Sequence, residues 1–109
     1  MRFDYSDAFV QTSDEKMTRR VLAHSENLML AHLTFHKKSD DPGLHSHPHE
    51  QIIFLEKGKI EFIMDGESSV LGVGDSVYVP PNVIHGVRIL EDNCILLDIF
   101  TPRRDDFLK

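Results

Sequence analysis

The chain has no tryptophan and one cysteine, and none of its apolar runs exceeds four residues. Each scarcity removes a class of protein. A lone Cys94 allows neither a disulfide framework nor a Cys-x-x-Cys zinc ribbon. Within Cys94-Ile95-Leu96-Leu97 it reads as a small core residue. Runs of four fall far short of the roughly 18 apolar residues of a membrane span. The opening Met1-Arg2-Phe3-Asp4-Tyr5 lacks the apolar stretch of a signal peptide, so a soluble cytoplasmic protein is expected. Basic residues are few: 12 Lys and Arg against 18 Asp and Glu leave a net charge of -6. The pair Arg103-Arg104 is too little for a phosphate-backbone groove, so no nucleic-acid partner is expected. Several enzyme signatures are also missing. "HPHEQIIF" has Ile53 where a zinc protease helix needs its second His. "GVGDSV" has Val77 at the third Gly of a dinucleotide loop, and "GESSV" has Val70 at the second Gly of a nucleophile elbow.

What is present is a period of two. Met29, Ala31, Leu33 and Phe35 alternate, as do Ile60, Phe62 and Met64, then Val77 and Val79, then His85, Val87 and Ile89. Residues two apart share a face of a strand. About eight short strands at regular spacing, separated by Gly and Pro, predict an all-β single domain, an antiparallel sandwich or jelly-roll β-barrel. Asp65-Gly66 marks a tight hairpin, and Gly58 reads as another. Residues 1–16 are weakly patterned and read as an N-terminal arm or an exchanged strand, with the barrel domain over 17–109. At 109 residues one domain is the default.

The chemistry concentrates in "HSHPHEQ", where His45, His47 and His49 fall within five positions and Gln51 follows. His45 and His47 share a strand face and can grip one ion. Pro48 lacks an N–H and favours a bend, so parity does not carry across it. His49 and Gln51 stand as rival third ligands, and the bland alternative is a set of solvated loop histidines. His85 is a distant further ligand; its alternative is a core histidine with one hydrogen bond. In "CILLDIF", Cys94, Leu96, Asp98 and Phe100 share one face and Ile95, Leu97 and Ile99 the other. A carboxylate at an inward apolar position is costly unless paired or functional, so Asp98 is either a site residue or an outward, solvated acid. Arg104 can grip a carboxylate through two parallel hydrogen bonds. Its alternative is a surface pair with Asp105 or Asp106, the reading adopted for Arg103.

"HSHPHEQ" with "IIFLEKG", then "GDSVYVPPNVIHG", resembles the two metal motifs of the cupin superfamily. His45, His47, Gln51 and Gly58 fit the first motif, and Gly74, Pro80 and His85 the second. Asn82 stands where the second motif has a Gly, Ser39 where a Gly precedes the first His, and Ile89 where an Asn follows the last. From about Thr18 to Lys109, through "RRVLAHSENLMLAHLTF" and "LLDIFTPRRDDFL", the chain is similar to small single-domain cupins of the KdgF type, which act in pectin and alginate breakdown. The resemblance implies His45, His47, Gln51 and His85 as ligands of a divalent metal ion, with His49 at the rim. Mixed N and O donors suit Ni, Zn, Mn, Fe or Co. It also implies catalytic Asp98, Phe100 and Arg104, which match a D-x-F-x-x-x-R stretch, a homodimer, and an anionic sugar acid as substrate. The implied reaction is ring opening and ketonisation of 4,5-unsaturated uronates released by polysaccharide lyases. The rival readings are an Fe(II)-dependent cupin dioxygenase and a non-catalytic sugar-binding cupin.

Overall fold

A computed structural model describes residues 1–13 and 15–109. Among the described residues nine antiparallel strands form: β1 (Phe9–Ser13), β2 (Met17–His24), β3 (Met29–Phe35), β4 (Glu50–Lys57), β5 (Ile60–Met64), β6 (Glu67–Leu71), β7 (Ser76–Val79), β8 (His85–Ile89) and β9 (Cys94–Thr101). They build a six-stranded sheet in the order β1-β2-β3-β9-β4-β7 and a three-stranded sheet in the order β6-β5-β8. The architecture is the expected all-β jelly-roll, as two facing sheets rather than one continuously hydrogen-bonded barrel. Within residues 1–16, β1 pairs with β2 of the same chain, Gln11 opposite Arg19. No helix among the described residues is long and apolar enough to cross a membrane.

The alternation in the sequence becomes burial. Gln51, Ile53 and Leu55 of β4 point inward, between exposed Glu50, Ile52 and Phe54. On β9 the inward set is Cys94, Leu96, Asp98 and Phe100. Met29, Leu55, Ile60, Val79 and Phe100 are fully buried between the sheets, each side chain contributing about 1.5–3 kcal/mol of transfer free energy. Asp98 occupies the middle of this apolar face, opposite Ala31 on β3 and Ile53 on β4.

The turns follow the backbone chemistry, with one correction. Asp65 and Gly66 have φ of 51° and 81° and close the β5–β6 hairpin, as a primed turn requires. Gly58 closes no hairpin: β4 pairs with β7 and β9, whereas β5 pairs with β6 and β8. The chain instead crosses there from one sheet to the other. A Cβ at Gly58 would lie 2.3 Å from Cys94 Sγ, and its φ is +96°. The glycine therefore serves close packing under a corner, a role that sequence alone does not separate from a turn.

The segment that carries the histidines is stitched to β8. Ser39 bridges Ile89 and His45 bridges His85, while Val87 donates to the Pro42 carbonyl at 3.0 Å. Gly86 makes this approach possible, since a Cβ there would stand 2.1 Å from the Pro42 oxygen. Gly86→Ala is expected to force the segment off β8 and to cost about 1–3 kcal/mol of unfolding free energy. Urea denaturation checks this, and an unchanged midpoint would show that the segment is not held there.

Candidate metal centre

The site is assembled from three places. His45 lies in the segment bridged to β8, and His47 follows it. Pro48 and His49 form a bend, and β4 then begins, so that Gln51 enters facing inward. His85 opens β8, after the Pro80-Pro81-Asn82 turn. The ring nitrogens of His45, His47 and His85 come within 4.8 Å of one another. Gln51 Oε1 lies 2.9 Å from His47 Nε2 and 3.2 Å from His85 Nε2.

The outer side of each ring decides what the inner side can do. His45 Nδ1 is 2.8 Å from the Gly43 carbonyl, His47 Nδ1 3.1 Å from that of His49, and His85 Nδ1 2.9 Å from that of Val83. A carbonyl only accepts, so the neutral ring carries its proton on Nδ1 and presents a lone pair at Nε2. Three such lone pairs and an amide oxygen therefore meet with no proton to share among them. A cation relieves that arrangement, and the donor set fits a divalent ion. Burial, reinforced by the nearby positive charge of Arg104, lowers the pKa of His47 and His85 below the ordinary imidazole value. Both rings thus stay neutral, as ligation demands.

A cavity of about 650 Å³ opens onto this cluster, lined also by Asp98, Phe100, Arg19 and Arg104. Asp98 is buried, and burial raises its pKa from 3.8 to about 7, against the opposing pull of a hydrogen bond with Gln51 and of Arg104 and Arg19. Its Oδ1 has no hydrogen-bond partner. The Arg104 guanidinium stands 5.3 Å from the Phe100 ring centroid and 4.4 Å from that of Phe107.

A cupin-domain family model matches residues 31–100. The chain is 35% identical over 91 residues to the pectin degradation protein KdgF of Dickeya dadantii, covering 83% of this chain and 82% of that one. The chain belongs to the KdgF-like cupins. Among solved structures, KdgF from a Halomonas species superposes with a TM-score of 0.87 at 30% identity, covering 97% of this cupin and 96% of that chain. An RmlC-like cupin from Shewanella frigidimarina gives 0.85 at 29% identity, covering 98% and 99%.

In this cupin the expected ligands His45, His47, Gln51 and His85 come together. His49 does not join them. Its half-buried ring packs against those of His47 and Phe100, with centroids 5.5 and 6.3 Å away, and its contribution is the backbone carbonyl that holds His47. Asp98 and Phe100 face the cavity. Arg104 also lines it, but its surface alternative is present too: Nε and Nη2 bind Asp106 at 3.0 and 2.9 Å. Arg103 pairs with Asp105 at 2.8 Å. No motif in the sequence singles out Arg19. Its signal, an Arg between Met17 and Val21 on one strand face, is indistinct beside Thr18 and Arg20.

His49→Ala is expected to retain metal, whereas Gln51→Ala weakens binding by at least roughly tenfold; metal analysis after dialysis against a graded chelator measures both. The Asp98 shift predicts a pH effect in chelated protein. The folded chain keeps a proton that the unfolded chain has lost, so the Asp98 contribution to stability falls as pH rises from about 4 through 7. Asp98→Asn removes that fall, which is on the order of 4 kcal/mol. Urea midpoints at pH 4.5 and 8 test it, and a wild-type minus variant difference independent of pH would contradict the shift.

Proposed function

We propose that this cupin opens and ketonises 4,5-unsaturated uronates, small anionic sugar acids of the kind that polysaccharide lyases release. The observation that carries the reading is the placement of the Asp98 carboxyl. It sits beside Gln51, inside a cavity that is also lined by Arg104, Arg19, His45 and His85. Similarity to a protein named for pectin degradation supports the substrate class.

His45, His47, Gln51 and His85 hold the divalent ion in this reading. When bound, the ion supplies Lewis acidity toward a substrate oxygen, undiminished by any ligand charge. The reaction is an isomerisation. The anomeric hydroxyl loses its proton, the bond between C1 and the ring oxygen breaks, and C1 becomes an aldehyde. The ring oxygen leaves as the enolate of C4 and C5, C4 gains a proton, and C5 becomes a ketone. Asp98 takes the first proton and returns it to C4. With its pKa raised to about 7, Asp98 is partly ionised near neutral pH, able to accept the first proton as carboxylate and to hold it for C4. Arg104 anchors the carboxylate through Nη1, since Asp106 occupies Nε and Nη2. Phe100 forms the apolar wall beneath the ring. A homodimer in the cytoplasm belongs to the same reading.

Metal-loaded protein is expected to accelerate the loss of the unsaturated monomer's ultraviolet absorbance. Asp98→Asn should slow it by about 100-fold or more, with metal content determined on the same sample. Either an unaccelerated reaction or an unslowed variant rejects the proposal. Oxygen consumption by iron-loaded protein would favour the dioxygenase reading instead.

A further inference from the structure

The cavity holds two guanidinium groups, and they are not equivalent. Arg104 already has an acid partner, Asp106, at Nε and Nη2. Arg19, on β2 between Gln11 of β1 and Leu33 of β3, has no carboxylate within ion-pair distance among the described residues. Its Nη2 donates to the neutral Gln11 Oε1, and its Nε is sealed from solvent without a partner. The guanidinium carbon lies 3.5 Å from the Phe107 ring centroid, which fixes the plane of the fork. Burial lowers its pKa, while Asp106 and Asp98 act on it only as charges at a distance. A partly buried cation with one neutral hydrogen bond is under-compensated. Asp98 meanwhile leaves Oδ1 unpartnered in the same cavity. A cation and a carboxyl thus line one cavity without bonding to each other.

From this geometry we infer that Arg19 is the residue that selects a carboxylate-bearing ligand over a neutral sugar. The ligand carboxylate supplies the negative partner that the protein withholds from Arg19. The inference rests on the uronate reading and names the group that enforces the acid preference. A second role for Arg19 is visible, since Gln11 also donates to the Lys109 carbonyl at 2.6 Å, which ties β1 to the chain end. The test separates recognition from that structural link.

Metal-loaded wild type, Arg19→Gln, Arg19→Lys and Gln11→Ala are titrated with galacturonate and with galactose, which differ by a carboxylate. Binding is followed by NMR and folding by thermal melts. Wild type is expected to prefer the acid. Arg19→Gln should lose roughly 10- to 100-fold of that preference, and Arg19→Lys less because it keeps the charge. Gln11→Ala should lower the melting temperature and keep the preference. Wild type without any acid preference overturns the uronate reading, and this inference with it. An acid preference that survives in Arg19→Gln overturns the Arg19 assignment alone, leaving the ion and Arg104 to account for it. A loss in Gln11→Ala as large as in Arg19→Gln assigns Arg19 a structural role and also overturns it.

Discussion

Three imidazole lone pairs are aimed at one point because three backbone carbonyls hold the far side of each ring. The carbonyls belong to Gly43, His49 and Val83, and each lies in irregular chain outside the strands. Irregular backbone leaves carbonyls outside the sheet ladders, free to accept from a side chain. The rings are therefore oriented by the loops, and the loops by the sheets. The bridges of Ser39 to Ile89 and of His45 to His85, and the close approach of Pro42 to Gly86, all serve that alignment.

The departures from the motif pattern are absorbed by the same stitching. Asn82 stands where the pattern has Gly, and its φ is +64°. That region suits Gly first and Asn next among residue types. Its N–H donates to the His47 carbonyl at 2.7 Å, joining the two motif loops. The other two departures, Ser39 and Ile89, bond to each other in both directions at 2.8 and 2.9 Å. Both use backbone groups, so the bridge tolerates the side chains found there.

The electrostatics of the interior oppose those of the surface. The chain carries a net charge of -6, yet its cavity is lined by Arg19 and Arg104, and the candidate metal cluster of His45, His47 and His85 includes no carboxylate. Burial raises the pKa of Asp98 to about 7, so the acid at the heart of the cavity is only partly ionised in neutral solution. A net charge away from zero disfavours self-association, while cationic side chains set in low-dielectric walls create a local positive potential.

The sequence determined most of the strands and which side chains share a face, because alternation is a local property of a strand, and its two motifs carried the resemblance to cupin metal sites. It placed Asp98 and Phe100 on one face of β9 for the same reason. Only the tertiary structure decided what depends on contacts between distant segments. His47 and Gln51 meet across a bend at Pro48 that breaks the count, with His85 brought in from 34 residues beyond Gln51. Gly58 turned out to be a crossing between sheets rather than a hairpin, since strand partners are chosen by packing and not by the turn residue. Arg104 both lines the cavity and binds Asp106, and Arg19 enters the cavity without an acid partner. No pattern along the chain distinguishes those two arginines, because ion pairing is settled by which neighbours the folded sheets place within reach.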